Sequence, residues 1–410
     1  MIRSPYDYAG YGNDINEILL ADIALKIQLT PTEHDDAVAH YGAIEDWLER
    51  DGSPLKGKVL RLYPQGSMAI HTTISSNQDK EEFDIDIVVE LDLPHGSDPE
   101  EVLDLLFEAI RGEPGSRYYR VVERNSRCVT VHYRNMHLDL CPAVLREDQP
   151  ARTSTMFHHN KERSERYRHI RNPWGFADWF NGSLPQERDF ATFYAERGLA
   201  TLKSEAEPVP EPTPVYHKPR KVVALQLLKR FRNHRHVRRP RKGPPSVVLS
   251  KLAVDAGLSL GGLIDELEAQ ANHLEEVLRD YPIEVTNPRC PEHDVLTDRW
   301  PATEAEQREF YRDVRHLQRQ LAALRQAPDL KSKQAILADL FGERATTAAF
   351  ESLQRRFGDL ADRGAIKVEK ETAGIALAAS GIAAQPASAP AVVSAPRHHS
   401  HADATRRWKS

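Results

Sequence analysis

Asp84 and Asp86 stand two residues apart in the run Phe83-Asp84-Ile85-Asp86-Ile87-Val88-Val89-Glu90-Leu91. A third acid, Asp139, sits in the similar run Met136-His137-Leu138-Asp139-Leu140. Acids alternating with β-branched residues have the period of a half-buried strand. Residues two apart in a strand face the same way, so Asp84 and Asp86 present their carboxylates together while Ile85 and Ile87 turn to the core. A neighbouring strand carrying Asp139 would complete a three-acid cluster. Two Mg²⁺ ions ~3.5–4 Å apart need such a cluster, because they neutralise the attacking and leaving oxygens in phosphoryl transfer. Mn²⁺ is the alternative ion for the same oxygen ligands.

The D-x-D pattern alone also fits a solvent-facing edge strand. Its upstream context sharpens it. Val59-Leu60-Arg61-Leu62-Tyr63-Pro64 reads as a short strand running into the turn Gln65-Gly66-Ser67 and then a helix. Backbone N–H groups at a helix start, with a serine hydroxyl, form a seat for a triphosphate. Strand, Gly-Ser turn, D-x-D strand and distant third Asp, in that order, make a specific constellation.

This order of motifs resembles the polymerase-β-like nucleotidyltransferases. It resembles more closely the bacterial cGAS/DncV-like branch, the SMODS-type cyclic-oligonucleotide synthases of CBASS anti-phage systems. Asn172-Pro173-Trp174-Gly175-Phe176-Ala177-Asp178-Trp179 is similar to that branch's P-x-G-[FY]-x-x-W segment. Lys229 with Pro245-Ser246-Val247-Val248-Leu249 is similar to its lysine helix and following PS-x-x-L helix. Asn287-Pro288-Arg289-Cys290-Pro291-Glu292-His293-Asp294 and Trp300-Pro301 resemble the segment that closes its helical half.

The likeness spans residues 13–365. It implies an α+β, bilobed molecule in which a nucleotidyltransferase sheet domain packs against an OAS-like helical lobe. It implies Mg²⁺-dependent joining of nucleoside triphosphates, ATP among them and the second base open, into a cyclic di- or trinucleotide. Lys229 and Ser246 would join Gln65, Gly66 and Ser67 in binding nucleotide, and regulatory or conjugating proteins would be partners. Val247 stands where the animal cyclic GMP-AMP synthase carries an aromatic that stacks on a base, so stacking must come from elsewhere. A nucleotidyltransferase acting on RNA or a protein is the competing reading, and a non-catalytic scaffold is disfavoured by the intact acids.

Bulk composition sets limits. At 410 residues, with 40% hydrophobic and 28% charged residues, the chain can bury a sizeable core. No apolar run approaches the ~20 residues of a membrane-spanning helix, and the N-terminus lacks a signal-peptide apolar stretch, so a cytoplasmic protein is expected. The net charge of −6 argues against a globally basic nucleic-acid coat. Three cysteines, Cys128, Cys141 and Cys290, make no CxxC pair, and Cys290-x-x-His293 lacks the second pair a structural zinc needs. No zinc is expected.

Along the chain, 1–12 reads as an arm and 13–205 as the catalytic core with two leading helices. Strands are expected near 58–63, 83–91, 118–123, 127–133 and 136–141, with a helix at 99–111. Residues 146–172 read as a polar, basic border of the cleft whose His158-His159 pair is exposed. Pro208, Pro210, Pro212 and Pro214 mark a connector over 206–216. A helical lobe follows over 217–366, and 367–410 reads as a disordered Ala/Pro/Ser tail. Between Tyr216 and Pro245 eleven Lys and Arg residues crowd together without an acid. Lys229 is expected to reach phosphate from this block, with most of the arginines solvated or facing a regulator.

Overall fold

The computed structural model describes residues 14–75, 82–204, 217–237, 239–241, 243–362, 366–369 and 374–377. The expected arm and connector, and most of the expected tail, lie outside the described residues. Helix α1 (Ile15–Ile27) starts where the Asp14 carboxylate accepts the Asn16 N–H at 2.8 Å. Helix α2 (Pro31–Leu48) starts with a reciprocal Thr30–Glu33 capping box and proline at its first position.

Strand β1 (Val59–Pro64) leads through the short helix α3 (Gly66–Ala69) to β2 (Phe83–Leu91). Helix α4 (Pro99–Arg111) is capped by Asp98. Then come β3 (Val122–Arg124), β4 (Val129–His132), β5 (Met136–Leu145), β6 (Ser154–Asn160) and β7 (Glu165–Arg171). The sheet runs β1-β2-β5-β4-β3. The long β5 carries β4 beside its first half and β6 beside its second, with β7 outside β6. Only β2 and β5 pair in parallel, with Asp86 directly opposite Asp139. Ile85, Ile87 and Val89 point from the other face into a core closed by α2 and α4.

Two expectations are corrected here. The strand expected at 118–123 begins only at Val122, since Tyr118–Val121 form turns. The polar segment at 146–172, expected to border the cleft with an exposed histidine pair, carries the β6–β7 hairpin, paired from Ser154↔Arg171 to Asn160↔Glu165. The Thr155-Met156-Phe157 run supplies strand-forming residues, and α4 covers the hairpin. His158 and His159 are accordingly buried, at 5% and 8% exposure, rather than exposed. His158 stacks on Tyr167, with ring centroids 4.3 Å apart.

The remaining helices are α5 (Pro173–Gly182), α6 (Arg188–Ser204), α7 (Arg220–His236), α8 (Ser246–Asp255), α9 (Leu263–Val277), α10 (Glu304–Gln326), α11 (Leu330–Phe341) and α12 (Glu343–Asp362). They surround a second core centred on Val223, Leu227 and Phe231 of α7. Helix α1, α5 and α6, grouped with the catalytic core by sequence, pack into this second core. Leu19, Leu20 and Ile23 on one side and Ala21, Ala24 and Leu25 on the others leave α1 apolar nearly all round, which suits a helix buried between neighbours. Within the expected tail, β8 (Ile366–Glu369) pairs antiparallel with β9 (Gly374–Leu377). The alternation Ile-Lys-Val-Glu favours a strand locally.

The basic block is largely internal rather than solvated. Arg220 binds Glu187 at 2.6 Å, and Lys221 binds Glu266 at 2.8 Å. Arg235 and Arg239 grip Asp313, and Arg230 donates to the Phe341 carbonyl. Each acid comes from another element, so α7 is tied to α9, α10 and the segment before α6.

A further buried charge ties α1 to α9. Gly262 offers no side chain to cap α9, and the Glu17 carboxylate accepts the Leu263 and Ile264 N–H groups at 2.5 and 3.1 Å. Glu17→Ala leaves two buried donors without partners, which costs about 1–3 kcal/mol. Denaturant titration of this variant is expected to show that loss, with Glu17→Gln losing less because it keeps an acceptor oxygen. Unchanged stability in both would remove Glu17 as the cap.

Candidate active site

The parallel pairing of β2 and β5 brings the three expected acids to one face. Asp86 and Asp139 lie side by side, and Asp84 lies one step toward the strand start. Burial pushes Asp86 up to about 7, with repulsion from Asp139 and Asp84 adding to it. Asp84 is reached by solvent yet walled by protein; desolvation, then the Asp139 charge, raises it as well. Thr130, opposite Asp139 on β4, donates its hydroxyl to Asp139 Oδ1, and Asn125 Nδ2 donates to Thr130 Oγ at 2.9 Å. Asp139 is therefore turned toward its own strand neighbour. Among the described residues, no three acid, histidine or cysteine side chains converge tightly enough to ligate one ion as they stand. The carboxylates are neighbours whose remaining repulsion a hard divalent cation would relieve, and the all-oxygen donor set fits Mg²⁺.

The Gly-Ser turn abuts these acids. The Gln65 N–H donates to the Asp86 carbonyl at 2.8 Å. Gly66 has φ +57°, and a Cβ there would lie 2.8 Å from Asp86 Oδ2. Only glycine combines that conformation with that approach. The Ser67 hydroxyl contacts the Thr73 hydroxyl at 3.2 Å, and the Ser67 carbonyl accepts the Thr72 N–H at 2.9 Å.

Helix α7 reaches this loop from the second lobe. Lys229 is 2% exposed and donates to the Thr72 carbonyl at 2.7 Å and the Thr72 hydroxyl at 3.2 Å. Gln226 Nε2 donates to the Thr73 carbonyl at 3.0 Å. Burial, with the Arg232 charge adding, lowers Lys229 to about 7, and Asp86 opposes that shift. Ser246, at the start of α8, accepts from Arg232 Nη2 at 2.9 Å, so it meets the site through Arg232. Burial lowers Arg232 to about 10.

A second wall combines residues of the 146–172 segment, expected to border the cleft, with Arg299, Asp298 and Arg127, which escaped the sequence reading. Arg299 lies near enough to Asp86 to favour its ionised form, and its side chain remains 63% exposed. Around it gather Arg127, Arg171, Asp298 and Tyr167. His169, edge-on to Tyr167 at 4.6 Å, is held down to about 4 by burial and then by Arg171 and Arg127. Proximity of Arg299 to Trp300-Pro301 was the available signal, whereas Tyr167 lay in a segment whose strand character was masked by its charges.

Three neighbouring acids, a glycine turn and a buried lysine thus come together where the two lobes meet, and comparison with known proteins places this arrangement in a nucleotidyltransferase fold. Residues 18–182 match the model of the Second Messenger Oligonucleotide or Dinucleotide Synthetase domain. The chain is 35% identical over 357 residues to the cyclic dinucleotide synthase CdnG of Bradyrhizobium diazoefficiens, covering 83% of this chain and 84% of that protein. It is 25% identical over 361 residues to a c-di-GMP synthase of Roseivirga ehrenbergii, covering 84% and 89%. The structure of the Bradyrhizobium CdnG in complex with GTP superposes with a TM-score of 0.73 at 32% identity, covering 83% of this chain and all of that one. Vibrio cholerae DncV, a cyclic AMP-GMP synthase, shares the fold at a TM-score of 0.51 and 15% identity, covering 83% of each chain. The chain belongs to this family of nucleotidyltransferases that make cyclic oligonucleotides. Among the described residues, no helix is long and apolar enough to cross a membrane.

The raised pKa of Asp86 gives a stability signature. In metal-free protein the folded state retains a proton on Asp86 that the unfolded chain releases near pH 3.8. This contribution is therefore complete below that pH and is lost as pH rises through about 7. Asp86→Asn removes the dependence, so in chelator its melting temperature should gain on that of the parent between about pH 5 and about pH 8. Mg²⁺ should raise the parent's melting temperature and leave the variant's unmoved. A constant gap across that range would contradict the burial of a protonated acid.

Proposed function

We propose that this protein joins GTP, with a second GTP or another nucleoside triphosphate, into a cyclic dinucleotide with release of pyrophosphate. It would act in the cytoplasm as a Mg²⁺-dependent enzyme of anti-phage defence. The observation that carries the reading is the register placing Asp86 against Asp139 beside the Gly66 turn. Both curated relatives described above are cyclic dinucleotide synthases by name, and the more similar solved structure holds GTP. ATP, expected from the family resemblance, is the first candidate for a second base.

Asp84 and Asp86 would hold the ion on the donor triphosphate, and both acids with Asp139 would hold the ion at the acceptor hydroxyl. When bound, Mg²⁺ neutralises the triphosphate and acidifies the attacking hydroxyl. The Gly66 turn and the Ser67 hydroxyl would seat the phosphates against the β2 edge. Lys229 already reaches this loop and can trade its Thr72 contacts for phosphate oxygens. Arg232, linked to Ser246, reinforces the positive field behind it. Arg299, near Asp86 with Tyr167 beside it, would offer a guanidinium plane to the acceptor base, a stacking partner that Val247 cannot supply. A macromolecular acceptor is less well supported, because so much of the basic block is spent on internal ion pairs.

The decisive test supplies labelled GTP, ATP, CTP and UTP singly and in pairs with Mg²⁺, followed by phosphatase. A phosphatase-resistant small product that requires GTP is expected, and Asp84→Asn combined with Asp86→Asn should abolish it. Products that grow only on added RNA or protein would overturn the reading. Lys229→Ala should raise KM for the triphosphate more than it lowers kcat, because a point charge on phosphate is felt in the ground state as well. The opposite split would move Lys229 away from the donor phosphates.

A further inference from the structure

Cys128 and Cys141 stand beside the acidic site without a part in the proposed chemistry. The β4–β5 register pairs Val129 with Leu140, so one further step sets Cys128 opposite Cys141. The hairpin turn closes with the Tyr133 N–H on the Met136 carbonyl, and alternation from that bonded pair makes 131/138 and 129/140 bonded pairs. Thr130/Asp139 and Cys128/Cys141 are then the non-bonded pairs, in which Cα atoms lie ~4.5 Å apart and side chains approach most closely. That separation falls within the ~4.4–6.8 Å span of disulfides.

Both thiols also touch what holds Asp139. Cys128 Sγ lies 3.9 Å from Thr130 Oγ, the hydroxyl that bonds the Asp139 carboxylate. Cys141 Sγ lies 3.9 Å from the Asp139 carbonyl. Cys128 is partly exposed and Cys141 is buried, so an oxidant meets Cys128 first.

We propose that Cys128 and Cys141 form an oxidisable dithiol whose disulfide disables Asp139 and so silences the enzyme. A peroxide oxidises the Cys128 thiol to a sulfenic acid and is reduced to water or an alcohol. The Cys141 thiol then attacks that sulfur, a disulfide forms, and hydroxide leaves with the thiol proton as a second water. Closing the bridge draws both sulfurs away from their oxygen contacts and re-aims the Thr130–Asp139 pair one step along the strands. Disturbing such a supporting contact typically costs a metal site about 10- to 100-fold in affinity or activity.

The silencing half of this proposal rests on the three-acid site; bridge formation does not. Full-length protein is treated with hydrogen peroxide, mapped by peptide mass spectrometry, and assayed for nucleotide joining and for the Mg²⁺-induced rise in melting temperature. A Cys128–Cys141 cross-link is expected, with both readouts falling about 10-fold or more and returning with dithiothreitol. Cys128→Ser and Cys141→Ser, tested separately, should each lose the sensitivity, and Cys290→Ser should keep it. No cross-link, or a cross-link that moves neither readout, would overturn the proposal. If reduced protein joins no nucleotides, the functional reading fails by itself, and mapping with the melting shift still judges the dithiol.

Discussion

Buried Lys229 and half-buried Asp86 sit where neither charge is comfortable alone, and much of the cleft is arranged around that shared discomfort. Burial raises the acid and lowers the amine to about 7 each, so both are poised near neutrality in the ligand-free cleft. A metal–triphosphate complex carries complementary charges to both places at once. Its binding would drive the acid to its anion and the lysine to its cation. On the proposed reading, a substrate arriving with its cation would compensate both groups together, whereas either component alone would leave one uncompensated.

The two lobes meet at the loop that carries this pairing. Residues 65–73 are fixed to β2 through Gln65 and Gly66, and to α7 through Gln226 and Lys229. Helix α7 is in turn locked to its surroundings by acids drawn from several other elements. Movement of the helical lobe would therefore be transmitted to the Gly-Ser loop through the Gln226 and Lys229 side chains gripping its main-chain carbonyls.

The catalytic half of this arrangement was legible because strand periodicity is local. Asp84, Asp86 and Asp139 each sit within a short alternating run, and Gly66 follows a strand, so type and spacing alone placed them. Partners distant in sequence were not legible. The charges of Arg220, Lys221 and Arg235 are plain in the chain, but Glu187, Glu266 and Asp313 meet them only in the folded molecule. The β6–β7 hairpin was hidden for a related reason. Its arginines and histidines read as solvated, although His158 and His159 are buried and find partners in Glu165 and Arg124. Thr130 carried no motif, and its importance appears only once β4 lies against β5.

The single parallel pair in the sheet also governs the order in which the site can be assembled during synthesis. Strand β2 leaves the ribosome with Asp84 and Asp86 well before β5 follows, whereas β4 and β5 are joined by a two-residue hairpin and can pair as soon as both emerge. Asp139 therefore reaches the older strand already accompanied by Thr130. The nascent chain displays only two of its three neighbouring acids until that hairpin docks.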